Sequence, residues 1–277
     1  MQGLHTRCSG QHHHRKTRQT EFGTFFSLTK QMQFRSNQFN IPEVTKNIII
    51  INVLLFLGKY ASMKLGIDLD QLFSLHYFKS DGFKPWQIVT HIFMHGSLMH
   101  LAFNMFGVWM FGTKLEQIWG PKRFLQFYFF AALGAFLLHF GIVHLQVQQL
   151  ASALTAENLD LAVAQGYDLL QSGRNYTDPT MGEFNLNYNG SVLGASGALF
   201  GILAAFAMYW PNTELYLMFV PVPIKAKYFV LLYAAYELFS GLSGLQPGVA
   251  HFAHLGGALF GFILVKYWNK NNRSTLY

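Results

Sequence analysis

Six apolar stretches, separated by polar segments, dominate the chain. Each is close to the length of about 20 residues that an α-helix needs to cross a bilayer. The stretches cover residues 46–63, 91–111, 124–146, 193–210, 228–242 and 249–268. This pattern predicts an all-α, polytopic membrane helix bundle with six transmembrane helices.

The polar segments divide the rest of the chain. Residues 1–41 are polar and basic with no apolar period, which predicts a disordered tail. Residues 42–268 form the predicted membrane domain, and residues 269–277 form a short C-terminal tail. Within the domain, segment 147–190 carries apolar residues at helical spacing. It predicts one or two helices outside the membrane, inserted between the third and fourth spans.

Composition supports a membrane protein and argues against a soluble domain, a disulfide-bonded protein and a nucleic-acid-binding protein. Charged residues make up 12% of the chain, about half their share in ordinary soluble domains. The single cysteine, Cys8, excludes an internal disulfide. The net charge of +7 is compatible with nucleic-acid binding, but the distribution of that charge along the chain indicates membrane topology instead, so no nucleic-acid partner is expected.

Lysine and arginine are distributed unequally between the two predicted faces of the membrane. All but five of the 20 fall in the two tails and in the segments that follow spans two and four. Cytoplasmic segments are enriched in these residues, so both termini are predicted to be cytoplasmic. An even number of spans is then required. Spans two, four and six therefore run from the outside to the inside.

Three polar side chains lie near the starts of these three inward-running spans. They are His100, Ser196 and His254, and all three are predicted at one depth in the outer half of the bilayer. Polar groups at that depth are unfavourable unless they find partners. A serine that meets an imidazole is an activated nucleophile. The sequence thus predicts a serine hydrolase centre that Ser196 and His254 build between spans four and six.

Small residues on the same two spans allow a close approach. Span four carries Gly197 and Gly201, and span six carries Gly257 and Gly261. Glycines at four-residue spacing let membrane helices pack backbone against backbone. His254 lies three residues before Gly257 and so shares its helix face. These glycines are predicted to bring the serine and the imidazole into contact.

Four motifs in this order resemble the rhomboid family of intramembrane serine proteases, over roughly residues 42–268. The first three are the histidine–asparagine run His95-Gly-Ser-Leu-Met-His100-Leu-Ala-Phe-Asn104, the turn Glu116-Gln-Ile-Trp-Gly120, and Gly194-Ala195-Ser196-Gly197. The fourth is Ala253-His254-Leu-Gly256-Gly257-Ala-Leu-Phe-Gly261. The membrane domain is therefore predicted to be a rhomboid-like bundle.

The resemblance implies a catalytic role for two residues and a stabilising role for four. Ser196 would be the nucleophile and His254 the general base, in a dyad without an acidic third member. Four further residues would stabilise the oxyanion and the substrate, namely His100, Asn104, Gly194 and Gly197.

Other residues receive structural interpretations near the site. These are His95, Glu116, Gly257 and Gly261. Glu237 is the only acid well inside a span, and an interhelical hydrogen bond is the favoured interpretation, with a role near the site left open. The family's first loop often carries Trp-Arg, whereas this chain has Trp86-Gln87. That departure puts the anchoring of the loop in doubt, although not the chemistry.

The predicted function is endopeptidase cleavage of transmembrane segments near their extracytoplasmic ends. Substrates would be single-span or polytopic membrane proteins in the bilayer, with no cofactor and no metal. The resemblance favours a bacterial inner membrane, with the site open to the extracytoplasmic side.

Three other functions remain as alternatives. A catalytically silent relative would bind membrane clients, but such relatives typically lose the serine or the histidine. A metalloenzyme could use His91 with His95, or His251 with His254, but the His-Glu-x-x-His signature is missing. A transporter would show paired half-repeats, and the chain has no visible internal repeat.

Overall fold

Helices dominate the part of the chain that the computed structural model describes, which is residues 41–217, 220–244 and 250–273. The described residues from Pro42 onward form one compact unit. The predictions for the N-terminal tail lie outside the described residues, apart from Ile41. Of the predicted C-terminal tail, residues 269–273 are described as the end of the last helix, and residues 274–277 lie outside the described residues.

The elements follow one another in a simple order, and helices account for most of them. The first half contains α1 (Glu43–Met63), α2 (Leu69–Phe73), β1 (Leu75–His76), α3 (Gln87–Thr90), α4 (Leu98–Gly107), α5 (Thr113–Trp119) and α6 (Pro121–Ala153). The second half contains α7 (Ala156–Gln171), α8 (Pro179–Asn189), β2 (Ser191–Val192), α9 (Ser196–Tyr209), β3 (Glu214–Leu217), β4 (Val220–Lys225), α10 (Ala226–Ser243) and α11 (His251–Arg273). The strands form two small antiparallel pairs, β1 with β2 and β3 with β4.

Length and composition identify two described helices that could cross a membrane. These are α1 and α6, and α9 is a shorter apolar helix. The all-α class is confirmed by the helix content, while the count of six spans stays a prediction. The core lies where α6, α9 and α11 meet, and Phe127, Ile202 and Val265 are fully buried there.

The predicted second span, 91–111, is wrong at its start. A short 3₁₀ turn, His91–Phe93, is followed by extended backbone at Met94 and Ser97 before α4 begins at Leu98. The Ser97 hydroxyl accepts a hydrogen bond from the backbone N–H of His100 at 3.2 Å. A serine that caps a helix in this way ends the preceding segment. The helix then continues through a π-helical segment, Val108–Gly112, into α5.

The segment between α6 and α9 contains two helices. α6 continues to Ala153, beyond the predicted end of the third span, and α7 and α8 follow. These helices pack on the end of α6 through buried apolar side chains that include Val147, Ala162 and Phe184. Asn189 donates its side-chain amide to the Ala162 carbonyl at 2.9 Å. A position of these helices outside the membrane stays a prediction.

Glu116 does not contact the predicted site, which corrects the interpretation of this residue. Its carboxylate accepts hydrogen bonds from the backbone N–H of Val44 at 2.9 Å and of Thr45 at 2.7 Å, and from the Thr45 hydroxyl at 2.7 Å. It therefore caps the start of α1. His100 lies 16 residues earlier on the same run of helices, roughly 24 Å away at a helical rise of about 1.5 Å per residue.

Replacing Glu116 should reduce stability without changing the chemistry. Glu116→Ala leaves the buried donors of Thr45 without an acceptor, and we expect a loss of about 2–3 kcal/mol in the free energy of unfolding. Denaturant titration in mixed micelles measures it. The control is Gln117→Ala, at an exposed position of α5. Equal stability of the two variants would contradict the capping role.

Candidate active site

Ser196 and His254 lie in hydrogen-bond contact. His254 Nε2 is 2.8 Å from Ser196 Oγ. Ser196 is the first residue of α9, and His254 is the fourth residue of α11. The sequence predicted that these side chains meet. Both are only partly buried, so another molecule can reach them. A hydroxyl that donates to an imidazole nitrogen at this distance can be deprotonated as it attacks.

Close backbone packing of α9 on α11 makes this contact possible. A Cβ added to Gly257 would overlap the carbonyl oxygen of Gly197, and one added to Gly201 would lie 3.0 Å from the carbonyl oxygen of Gly257. A Cβ on Gly261 would lie 2.8 Å from the Gly201 Cα. Any larger residue would therefore force the two helices apart. The predicted glycine interface is present in the structure.

Gly194 brings His100 to the serine. Its φ of +128° is a backbone conformation that side chains rarely adopt. A Cβ at Gly194 would lie 2.9 Å from His100 Nε2 and 3.7 Å from Ser196 Oγ. The glycine therefore leaves open the space between the His100 ring and the Ser196 hydroxyl. Its own N–H donates to the His91 carbonyl at 2.9 Å, which ties this loop to the segment before α4.

Asn104 and His95 form a buried pair one turn below His100. The two side-chain nitrogens, Asn104 Nδ2 and His95 Nε2, are 3.1 Å apart. An amide nitrogen can only donate, so Nε2 of His95 is the acceptor and carries no proton. The His95 and His100 rings meet edge to face, with centroids 5.0 Å apart. His95 thus holds Asn104 and packs against His100, which fits the structural interpretation of His95.

Gln87 stands where the first loop of the family often carries an arginine, and it anchors the same loop here. The side chain is completely buried. Its oxygen accepts from the N–H groups of His76 and Lys84, and its amide nitrogen donates to the carbonyls of Gln71 and Gly82 at 3.2 and 3.0 Å. Burial also lowers the pKa of the His76 imidazole. The loop before α4 is therefore held by an uncharged side chain.

Phe200 was missed by the sequence interpretation. Its ring stacks on the His254 imidazole with a centroid distance of 4.4 Å and an interplanar angle of 3°. Tyr233 of α10 also packs on Phe200, with centroids 4.7 Å apart. Phe200 is one helical turn after Ser196 and so shares its face. That spacing places Phe200 on the serine face of the helix, but it does not indicate which ring Phe200 contacts.

A carboxylate also lies at the site. Glu237 of α10 is buried, and its Oε2 atom is 2.6 Å from Nδ1 of His251 and 3.0 Å from Nδ1 of His254. The contact with His251 is a hydrogen bond. The contact with His254 has ion-pair distance but not the alignment of a hydrogen bond. The expected interhelical bond is thus present, and the acid also faces the imidazole that contacts Ser196.

These side chains do not resemble a metal centre. Two ligand atoms on one zinc ion lie about 3.3 Å apart, given bonds of about 2.0 Å and tetrahedral angles. Glu237 Oε2 and His251 Nδ1 are only 2.6 Å apart. His91 uses Nδ1 on the Gln87 carbonyl at 2.7 Å, and His95 is held by Asn104. In the parts of the chain that the structure covers, no three potential ligands form a metal-binding group.

A serine paired with a histidine at the starts of two packed helices defines a candidate serine hydrolase centre in a helical protein. The family model for the rhomboid domain matches residues 82–270. The chain therefore belongs to the rhomboid family and is a membrane protein. The resemblance that the four motifs indicated is confirmed.

Several curated proteins are similar to this chain. Rhomboid protein 1, mitochondrial, of Saccharomyces cerevisiae is 27% identical over 66% of this chain and 42% of its own length. RHOMBOID-like protein 6, mitochondrial, of Arabidopsis thaliana is 28% identical over 76% and 50%. Rhomboid protease AarA of Providencia stuartii is 27% identical over 65% and 54%. The chain spans about half the length of these relatives.

The relatives do not support the predicted bacterial inner membrane. Two of the three carry mitochondrial names and come from a yeast and a plant, while the third is bacterial. The family resemblance alone therefore could not determine the membrane. Neither this membrane nor the predicted orientation of the termini is supported by the comparisons.

Enlarging Gly257 should separate the two helices at the site. We expect Gly257→Ala to destabilise the fold by about 1–3 kcal/mol through overpacking, and to slow labelling of Ser196 by a fluorophosphonate about 100-fold, since small displacements in a reacting pair have effects of that size. Gel fluorescence measures the labelling rate.

The matched control is Gly141→Ala in α6, where an added Cβ meets nothing within 4 Å. That variant should be labelled at the wild-type rate. A Gly257→Ala protein that is labelled as fast as the control would disprove the dependence of the site on this contact.

Proposed function

We propose that this protein is an intramembrane serine endopeptidase that cleaves transmembrane segments of single-span or polytopic membrane proteins. The observation that carries the proposal is the 2.8 Å contact between His254 Nε2 and Ser196 Oγ. Membership of the rhomboid family and the name of the Providencia relative as a rhomboid protease support it.

The reaction requires the Ser196 hydroxyl to be the donor in this hydrogen bond. Ser196 Oγ attacks the carbonyl carbon of the scissile peptide bond while its proton moves to His254 Nε2. The new carbon–oxygen bond gives a tetrahedral intermediate. His254 then protonates the departing amine, and an acyl-enzyme remains on Ser196. Water, deprotonated by His254, releases the second product.

The start of α9 is suited to stabilise the oxyanion. The first N–H groups of a helix have no acceptor within it, and the helix dipole is positive there. We assign stabilisation to backbone N–H groups around Ser196, from Ala195 to Gly197, together with the His100 imidazole, because the N–H of Gly194 is already directed at the His91 carbonyl. One N–H of the Asn104 side-chain amide is already directed at His95. The other N–H would be the donor that Asn104 offers to the oxyanion.

The substrate must expose a peptide bond inside the membrane. A helix hides its backbone, so small or helix-destabilising residues near the cleavage point are expected. The unequal distribution of lysine and arginine supports a site that opens toward the face opposite the basic segments. Water would enter from that face and reach the partly exposed Ser196.

Loss of the serine or the histidine should abolish cleavage. We expect Ser196→Ala and His254→Ala to reduce cleavage of a labelled single-span substrate in proteoliposomes by at least about 10⁴-fold, the size of effect that such residues have in serine proteases. Cleavage products are separated by gel electrophoresis and quantified by fluorescence.

Ser152→Ala is the matched serine control, because that hydroxyl is exposed and bonds only to its own helix at Gln149. It should cleave at the wild-type rate. Equal cleavage by wild type and Ser196→Ala would remove Ser196 from the mechanism. A wild-type protein that binds the substrate but neither cleaves it nor reacts with a fluorophosphonate would favour the silent-relative alternative.

His100 should affect turnover more than substrate binding. Because its contact with the oxyanion forms only as the intermediate does, we expect His100→Ala to lower kcat about 100-fold with little change in KM. Steady-state kinetics on the same substrate measures both. The control is His144→Ala, whose Nδ1 contacts the Tyr77 hydroxyl at 2.7 Å. A change in KM alone would assign His100 to substrate binding.

A further inference from the structure

Glu237 is the one acid of α10, and the helix buries it against the two histidines of the first turn of α11. Its exposure is 2%. An ionised carboxylate buried in a membrane helix is unfavourable unless cationic or polar partners surround it. The observed partners are the Nδ1 atoms of His251 and His254. The second of these rings is the one that contacts Ser196.

We propose that Glu237 is a positioning residue for the proposed protease, acting on the reaction through His254. The inference rests on the proposed function, and it adds Glu237 to the expected Ser196–His254 dyad as a third, positioning member. His251 is the anchor that holds the carboxylate at 2.6 Å and so fixes its position relative to the neighbouring ring.

The tautomer of His254 connects the carboxylate to the serine. Ser196 can donate its proton only if Nε2 of the neutral ring is bare, which places the ring proton on Nδ1. Nδ1 lies 3.0 Å from Glu237 Oε2. The opposite tautomer would place a nitrogen lone pair against a carboxylate oxygen at that distance. Glu237 therefore favours the tautomer that the reaction needs.

Charge adds a second effect during the reaction. When the Ser196 proton moves to Nε2, the His254 ring becomes a cation with its Nδ1–H beside a carboxylate. Attraction between unit charges is strong at this separation in a buried site. Glu237 therefore stabilises the imidazolium and the intermediate that forms with it. The carboxylate takes no proton in this scheme, because the proton on Nε2 passes on to the departing amine.

Phe200 limits the motion of the His254 imidazole perpendicular to its plane. Stacking at 4.4 Å keeps the imidazole plane parallel to the phenyl ring, while Glu237 and Ser196 contact its opposite edges. The stacked phenyl ring therefore blocks movement of the imidazole toward that side.

A purely structural role makes a different prediction. If Glu237 only bridges α10 to α11 through His251, loss of either residue should have the same consequence. If it acts through His254, removing the charge should slow turnover even when His251 is already absent. The two roles can therefore be separated with Glu237→Gln, His251→Gln and the double variant.

The experiment uses the full chain in proteoliposomes with a single-span substrate. We expect Glu237→Gln to lower kcat about 100-fold, less than the roughly 10⁴-fold loss for a triad aspartate changed to asparagine in a serine protease, with KM unchanged. His251→Gln should lower kcat clearly less than Glu237→Gln does, because the carboxylate remains beside His254. The double variant should retain the full loss of Glu237→Gln. Tyr236→Phe, at an exposed neighbouring position, is the control for changes in α10.

Two outcomes overturn the inference. One is a kcat of Glu237→Gln within twofold of wild type, taking twofold as about the precision of the assay. The other is a loss that His251→Gln reproduces and the double variant does not exceed. If Glu237→Gln does not fold, Glu237→Asp keeps the charge but withdraws it from the ring. A folded Glu237→Asp with reduced kcat then supports the inference, and wild-type kcat opposes it.

A readout independent of cleavage separates this inference from the proposed function. Nitrogen-15 spectra of labelled histidine distinguish a ring protonated at Nδ1 from one protonated at Nε2, and His254→Gln assigns the signal. We expect the Nδ1–H tautomer in wild type and a mixture in Glu237→Gln. Failure of wild type to cleave would refute the proposed function, whereas an unchanged tautomer in Glu237→Gln would refute the role of Glu237.

Discussion

The contact of the α9 backbone with the α11 backbone is the constraint on which the site depends. Gly257 faces the carbonyl of Gly197 so closely that no side chain fits between them. Van der Waals contact without intervening side chains fixes both the separation and the axial offset of two membrane helices. Ser196 directly precedes Gly197, and His254 is three residues before Gly257. Their hydrogen bond is thus a consequence of the helix packing rather than of flexible side chains.

Three polar side chains of the site, His100, Ser196 and His254, lie in the first turn of a helix. Ser196 opens α9, and His100 and His254 are the third and fourth residues of α4 and α11. Helix starts carry unpaired N–H groups and a positive dipole, which favours a developing negative charge. They also adjoin loops, where polar groups are less costly than at the middle of a bilayer. The bond from Gly194 N–H to the His91 carbonyl joins two of these starts.

The sequence could predict this centre because depth in a membrane follows from position along a span. The depth of Ser196 and His254 needs only span boundaries and directions, and the glycines indicate which faces meet. Contacts that depend on helix rotation and tilt could not be found in the same way, as the stacked Phe200 and the capping by Glu116 show. The sequence analysis missed the break before α4 because it treated residues 91–97 as the start of the span. In the structure, α4 begins only after Ser97, whose hydroxyl accepts the bond from the His100 N–H.

The charge of Glu237 needs a reason beyond helix association. A neutral glutamine could accept the bond from His251 and join α10 to α11 with a smaller desolvation penalty. A carboxylate has an advantage over an amide only where positive charge appears nearby. Two imidazoles can carry such a charge: His251, at 2.6 Å from the carboxylate, and His254, which in the proposed reaction would take the proton of Ser196 at 2.8 Å. The charge on His254 would exist only during the proposed reaction, so the unfavourable burial of the acid is consistent with a role in turnover.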